Sequence, residues 1–274
     1  MKKIIIAFPG NHYSESAVDF IKELNKVEPI LVTGVFLPVY DFSKLWLFTD
    51  TYSGQSYIPD IEDSEDEKKE ENIKRFISFF TKAGIQYKIH EDTSELSVYA
   101  LVEESRFADL MIVSPEKFYE YMGTDSSNPS LRDTLHRSEC PVLLLPEKFN
   151  FPSSVVIAYD GSASSVFAIK QFAYLFPTFT EKESFLVYAN KEETADLPKE
   201  NNIRELAQVH YKNIRFVKLH DKSKEFFNEW VEGRKDSIVI SGSFGRSLSS
   251  QLFKGSFISK IITKHHIPIF IAHK

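Results

Sequence analysis

The feature that most constrains the fold of this chain is an internal repeat. Two short apolar runs, Asp109 to Ser114 and Pro141 to Leu145, recur as Asp236 to Ser241 and Pro268 to Ala272. Both recur at the same offset of 127 residues, so the distance between the runs is kept without a gap. A chain of 274 residues is long enough for two domains of ordinary size. The repeat therefore predicts two tandem copies of one domain.

The two halves also begin alike. In each half an apolar run ends in a turn and leads into an amphipathic helix, at Ile4 to Gly10 and at Val155 to Gly161. Continuous apolar runs between segments of helical periodicity are typical of parallel strands that helices cover on both faces. We therefore predict an α/β fold of two tandem doubly wound, five-stranded parallel sheets, Rossmann-like in kind. Such sheets bind ligands at the carboxyl ends of strands where the strand order reverses.

The same patterns place the individual elements. The predicted strands lie near residues 2–8, 29–36, 86–90, 109–114 and 141–146, and in the second half near 154–159, 184–190, 214–219, 237–241 and 267–272. The predicted helices lie near residues 13–26, 68–84, 96–106 and 130–138, and in the second half near 163–176, 200–211, 222–233 and 256–265. The second half thus repeats the order of the first.

A short linker separates the two predicted domains, which span residues 1–147 and 152–274. Asn150 and Pro152 interrupt the pattern there, as expected of a connection between domains. The first domain also carries an insertion near residues 38–68, which interrupts its agreement with the second. We predict that this insertion is a loop with its own aromatic contacts, either mobile or partner-binding.

Charge and cysteine content narrow the class of protein. The run from Asp60 to Glu71 holds eight acids and two lysines, which accounts for the whole net charge of −6. The rest of the chain is neutral and offers no basic face for a nucleic-acid backbone, so we predict no such partner. No window approaches 18 apolar residues, so no membrane partner is expected. Cys140 is the only cysteine, which favours a reducing compartment and a cytoplasmic location.

A glycine-rich motif follows the fourth predicted strand of the second half. After Ser241 come Gly242 and Gly245, then nine residues, then Gly255 and Ser256. Glycine lets backbone amides approach a ligand where a Cβ atom would collide. A serine at the start of a helix adds its hydroxyl to the free amides and the dipole of the first turn. The motif is therefore suited to phosphate.

This spacing resembles the nucleotide loop of the universal stress protein family, which reads Gly, any two residues, Gly, any nine residues, Gly and then Ser or Thr. The resemblance extends over nearly the whole chain in two copies and includes Asp160 after the opening strand of the second half. It implies an ATP ligand, with or without magnesium, in a protein of stress response or regulation. The resemblance implies a site formed by Ala158, Tyr159, Asp160, Ala189, Ser241, Gly242, Gly245, Arg246, Gly255, Ser256 and Phe257.

The residues themselves leave alternatives for parts of this site. Asp160 stands before Gly161 and could equally form a turn without touching a ligand. The three loop glycines could be turn formers in an irregular connection. Under the resemblance, Ala189 contributes its backbone, whereas Arg246 and Lys254 lie within the loop and could meet the phosphates.

The first half departs from the nucleotide motif. Its opening strand ends in Pro9, where the second half has Asp160. Its loop positions hold Pro115, Phe118, Asn128 and Pro129. We predict that this half does not bind ATP in the family's way and has a structural role. By the same resemblance it takes the place of a second subunit, forming an intramolecular pseudo-dimer through the fifth strands. A further homodimer and a protein partner stay open.

Other chemistry receives little support from the residue pattern. His265 and His266 are adjacent in a predicted helix and point in different directions, so we predict no metal site. We also predict no catalytic residues and no dedicated enzyme activity, although slow ATP hydrolysis is compatible with the loop. One alternative is an interaction module that binds a partner through Phe42 to Asp66, with the glycine loop a relic. Another, from fold analogy alone, is an adenylyl or phosphoryl transfer enzyme.

Overall fold

The computed structural model describes most of the chain, with gaps. The described residues are 1–9, 11–37, 62–91, 97–115, 137–190, 196–220, 230–242 and 266–274. The chain divides into two compact units, residues 1–139 and residues 140–274.

The first unit is a parallel sheet with helices between its strands. Its strands are β1 (Lys2–Pro9), β2 (Ile30–Leu37), β3 (Gln86–Glu91) and β4 (Leu110–Val113). Its helices are α1 (Glu15–Asn25), α2 (Glu62–Ala83) and α3 (Ser97–Ser105). The strand order is β3-β2-β1-β4, and the pairs that include β1 or β2 are parallel. The order therefore reverses between β1 and β4.

The second unit repeats this order. Its strands are β5 (Val142–Leu144), β6 (Ser154–Ala158), β7 (Glu183–Asn190), β8 (Asn213–His220), β9 (Ser237–Ser241) and β10 (Ile269–Ile271). Its helices are α4 (Ala163–Leu175) and α5 (Glu200–His210), with a short 3-10 helix at Phe179–Glu181. The order is β5-β10-β9-β6-β7-β8, so it reverses between β6 and β9. All pairs among β6 to β10 are parallel.

The α/β fold predicted from the sequence is confirmed, and each of the ten strands lies where an apolar run predicted it. The predicted pairing of the fifth strands is also confirmed, because β5 runs antiparallel to β10, with Leu144 opposite Ile269. Most of the predicted helices at 130–138 and 222–233, and all of that at 256–265, lie outside the described residues. In the described parts of the chain, no helix is long and apolar enough to cross a membrane.

Two boundaries differ from those predicted. The helix expected from residue 68 begins at Glu62, so part of the acidic run is helical. Acids are favoured in the first turns of a helix by its dipole, and Glu70 also pairs with Lys74 one turn later at 3.3 Å. The division between units falls after Glu139, ahead of the predicted linker, because β5 pairs with β10 and so counts with the second unit.

An aromatic cluster fills the first unit above the ends of β1 and β2. Phe8 stacks on Phe36 and on Tyr13, with ring centroids 4.8 and 5.3 Å apart. Phe76 of α2 meets both phenylalanines edge-on and is completely buried. Gly34 lies beneath it, and an added Cβ there would come within 2.9 Å of the Phe76 ring. The helix therefore packs directly on the β2 backbone.

Two contacts hold helix α4 of the second unit, one with β10 and one with Tyr211. Phe172 meets Phe270 of β10 edge-on, with centroids 5.2 Å apart. Tyr211, which follows α5, donates its hydroxyl hydrogen to the carbonyl oxygen of Ile169 at 2.9 Å. Burial raises the pKa of the Tyr211 hydroxyl well above its usual value, so this buried group stays protonated. These contacts hold the middle of α4 against β10 and against the residue that follows α5.

We expect Phe76→Ala to destabilise the first unit by about 3–5 kcal/mol, because the change opens a cavity among packed rings. Ile77→Ala is the matched control, since Ile77 follows on the same helix but is 37% exposed. It should cost no more than about 1 kcal/mol. Urea unfolding monitored by circular dichroism measures both. Equal losses for the two variants would show that Phe76 does not hold the core together.

Candidate functional site

The candidate site lies at the carboxyl edge of the second unit, where the strand order reverses. β6 runs between two parallel neighbours: Ala158 is opposite Val187 of β7, and Ile157 is opposite Ile240 of β9. The next strand after β6 is β7 and the next after β9 is β10, and these two lie on opposite sides of the β6–β9 pair. Such a divergence leaves a crevice beyond the strand ends, which is where doubly wound sheets bind ligands.

A tight turn follows β6 at this edge. The Tyr159 amide donates to the Val187 carbonyl oxygen at 3.0 Å and extends the β6–β7 pairing by one residue. Asp160 then accepts the Ser162 amide on its Oδ1 atom at 2.9 Å, which makes the local turn typical of aspartate. Gly161 has a φ of +79°, a conformation that favours glycine. Asp160 is therefore a turn former, and its contact with a ligand remains a prediction.

The first turn of α4 is already capped by its own serines. Ser162 Oγ accepts the Ser165 amide at 3.1 Å, as an N-cap serine does. Ser165 in turn donates its hydroxyl hydrogen to the Ser162 carbonyl oxygen at 2.9 Å and is buried. These contacts use polar groups that could otherwise have met an anion.

Gly242 is where the chain leaves β9, and it lies directly on this capped turn. A Cβ atom at Gly242 would come within 2.2 Å of the Ser165 nitrogen and 2.4 Å of its Cα. The two backbones are therefore packed so closely that only glycine fits. The sequence analysis assigns this glycine to ligand approach, which stays a prediction, and helix packing gives a second, independent reason for glycine here. The glycine-rich loop thus begins against the α4 N-terminus.

Ala189 presents backbone groups at the same edge. β6 ends at Ala158, whereas β7 continues alongside β8 as far as Asn190. The Val187 carbonyl points toward β6, because it accepts the Tyr159 amide. Groups on a strand alternate in direction, so the amide and carbonyl of Ala189 face the same side, beyond the end of β6. This is the placement that the predicted backbone contact requires.

The Tyr159 side chain is engaged within the protein. It is 3% exposed, and its hydroxyl donates to the Pro198 carbonyl oxygen at 2.8 Å. Burial, followed by the nearby charge of Asp160, raises the pKa of Tyr159 above its usual value, so the hydroxyl remains a donor at neutral pH. No local sequence pattern marks this contact, which joins residues 39 positions apart.

The structure therefore brings part of the predicted site together. Five of the predicted residues meet around the α4 N-terminus and the end of β6: Ala158, Tyr159, Asp160, Ser241 and Gly242. Ala189 lies at the same edge on β7. The other predicted residues fall outside the described part of the chain: Gly245, Arg246, Gly255, Ser256 and Phe257. Two residues at this edge were not predicted from the sequence. Ser162 could have been found, because its position after Asp-Gly is typical of an N-cap, whereas no local pattern indicates Pro198.

The corresponding edge of the first unit is built differently. Phe8 takes the position of Tyr159 and stacks within the aromatic cluster. Pro115, in the position of Gly242, is buried directly after Ser114. Phe118, Asn128 and Pro129, predicted to replace the nucleotide loop, lie outside the described residues. Of the His, Cys, Asp and Glu side chains that the structure describes in either unit, no three or more are grouped to hold a metal ion.

Fold and edge together define a class, that of doubly wound α/β proteins with closely packed glycines at the strand reversal. No family model and no curated protein matches the sequence. Among solved structures, a universal stress protein from Archaeoglobus fulgidus matches with a TM-score of 0.68 at 16% identity, covering 100% of this chain and 96% of that one. A Pseudomonas aeruginosa protein described as functionally unknown matches with a TM-score of 0.57 at 10% identity, covering 100% of this chain and 92% of that one. The chain has the fold of the universal stress proteins.

We expect Gly242→Ala to destabilise the second unit by about 1–3 kcal/mol, because the added methyl group collides with the α4 backbone. Gly233→Ala is the matched control. Its Cβ would have the Trp230 carbonyl oxygen as its nearest neighbour, at the ordinary distance of 3.6 Å. The control should be neutral or stabilising by up to about 1 kcal/mol. Thermal unfolding compares the two, and equal melting temperatures would contradict the close packing.

Proposed function

We propose that the protein binds an adenine nucleotide, ATP, in the second unit, as a regulatory ligand in a universal stress protein role. The observation that carries the proposal is the position of Gly242. It starts the glycine-rich loop against the first turn of α4, beside the Asp160 turn and at the reversal of strand order. A loop of this composition at this place suits a phosphorylated ligand.

The described residues offer groups of the right chemistry for the rest of such a ligand. Ala189 presents a backbone donor and acceptor beyond the end of β6, which fits an adenine ring. The Asp160 carboxylate is an acceptor suited to a ribose hydroxyl, and its Oδ1 contact with Ser162 fixes its direction. The loop glycines and Ser256 would then hold the phosphates, with or without a magnesium ion that neutralises part of their charge.

The nucleotide acts in this proposal as a bound ligand and is not consumed in a dedicated reaction. Asp160, the carboxylate in the β6 turn, is already engaged by the Ser162 amide and serves to orient. The first unit is a scaffold that does not bind ATP in this way, since its aromatic cluster occupies the strand ends and Pro115 replaces the first glycine. The proposal includes a cytoplasmic location, supported by the single, buried Cys140.

We expect nucleotide-stripped protein to bind ATP with magnesium at one site per chain in a calorimetric titration. Gly245→Asp should weaken binding at least about tenfold, because a carboxylate in the loop repels phosphate. Gly84→Asp is the matched control. Gly84 lies in the first unit with a φ of +64° and no atom within 4 Å of an added Cβ, a conformation that aspartate tolerates. It should bind as the wild type does.

Three outcomes would contradict the proposal. Equal loss of binding in both variants would mean that the effect is one of added charge, without any role for the loop. Rapid phosphate release during the titration would make the nucleotide a substrate. Failure of the stripped wild-type protein to bind would remove the nucleotide site and favour an interaction module acting through the insertion of the first domain.

A further inference from the structure

Pro198 contacts the residues on both sides of Asp160. Its carbonyl oxygen accepts the Tyr159 hydroxyl hydrogen at 2.8 Å. Its ring lies against Gly161, where an added Cβ would come within 2.6 Å of Pro198 Cβ. Asp160 is thus held between two residues that are both fixed by one segment, which comes 38 positions later in the chain. We call residues 196–199 the Pro198 segment.

The Pro198 segment has its own anchors in the second unit. Leu197 is 4% exposed and contributes to the core. Asp196 pairs with Lys218 of β8 at 3.3 Å. Lys199 has a φ of 51°, an uncommon conformation for a residue other than glycine, and leads directly into α5. The Asp196 side chain is 90% exposed, so this ion pair contributes little. The segment is therefore held by the buried Leu197 side chain and its entry into α5 on one side, and by the Asp160 turn on the other.

The Tyr159 contact accompanies the glycine-rich loop. In the first unit, Phe8 takes the position of Tyr159 and has no hydroxyl, and its ring stacks on Phe36 instead. That unit also has Pro9 in place of Asp160 and Pro115 in place of Gly242. The hydroxyl thus occurs in the unit that keeps the ligand-binding residues.

We propose that Tyr159 is a positioning residue whose hydroxyl clasps the Pro198 segment onto the Asp160 turn, so that bound nucleotide leaves only when this clasp opens. The inference rests on the proposed function and adds to it a control of ligand release. Asp160 contacts the ligand, and Tyr159 acts through the turn that carries Asp160. Opening of the segment and dissociation of the nucleotide are then one coupled event.

The test uses a matched pair of tyrosine variants of the full chain. Tyr159→Phe removes the hydroxyl and keeps the ring. Tyr211→Phe is the control, because Tyr211 is also buried and its hydroxyl also donates to a backbone carbonyl oxygen. Tyr211 follows the last residue of α5, whereas the Pro198 segment precedes the first. The two variants lose the same chemical group from the same unit, so a general loss of stability affects both. Circular dichroism confirms that each is folded.

The first measurement is amide hydrogen exchange in nucleotide-free protein. Pro198 has no amide hydrogen, so exchange is followed at the other amides of the segment and at the Ile203 amide, which donates to the Lys199 carbonyl oxygen at 3.1 Å. Tyr159→Phe should raise these exchange rates by about three- to tenfold, the range expected from one buried hydrogen bond. Tyr211→Phe should leave exchange in that segment at the wild-type rate. The second measurement is stopped-flow dissociation of a fluorescent ATP analogue, which should be faster by a similar factor in Tyr159→Phe and unchanged in Tyr211→Phe.

Each result has a defined meaning. Wild-type exchange of the Pro198 segment in Tyr159→Phe would overturn the clasp, whether or not nucleotide binds. Faster exchange with unchanged dissociation would overturn the role of Tyr159 in ligand release. If the wild-type protein binds no nucleotide, the proposed function and the control of release fail together, and faster exchange would leave the clasp as a structural contact.

Discussion

The parallel pairing of β6 on both sides is the constraint on which the rest of the second unit depends. Parallel neighbours cannot be joined by tight turns, so the chain must cross over the sheet between them. Because these crossovers begin at one edge, the turn after β6 and the chain leaving β9 are brought together above the strand ends. The contact of Gly242 with Ser165 follows from this geometry, since two backbones share a space that a single methyl group would fill.

Local chemistry explains which parts could be predicted from the sequence. Most of the strands are continuous apolar runs, and the Asp160 turn with its serine cap uses neighbouring residues, so both leave a local pattern. The contacts of Gly242 with Ser165 and of Gly161 with Pro198 join distant positions. No residue near Gly161 or Gly242 in the sequence indicates the contact partner. The sequence therefore marks these glycines but does not indicate their packing contacts. The start of α2 was missed because acids suit a solvated loop and a helix N-terminus equally well.

The two units show how one strand order supports two different edges. In the first, the ring of Phe8 joins those of Phe36 and Phe76 and completes a core over the strand ends. In the second, Tyr159 reaches a backbone carbonyl instead, and the chain leaving β9 lies close to the helix. Large packed rings fill the edge of the first unit, whereas closely packed backbones fill the equivalent edge of the second. A change of few side chains thus separates an edge filled by stacked rings from an edge closed by backbone contacts.

The pairing of β5 with β10 has a consequence for dividing the chain. A fragment cut at the linker and beginning at residue 152 would contain β10 but lack β5, its antiparallel neighbour. Ile269, Phe270 and Ile271 would then form an uncovered strand edge carrying three apolar, fully buried side chains. Uncovered apolar edges recruit other strands, so two such fragments would pair with each other. The three residues of β5 therefore cover the edge of β10, and this pairing prevents the second repeat from associating with copies of itself.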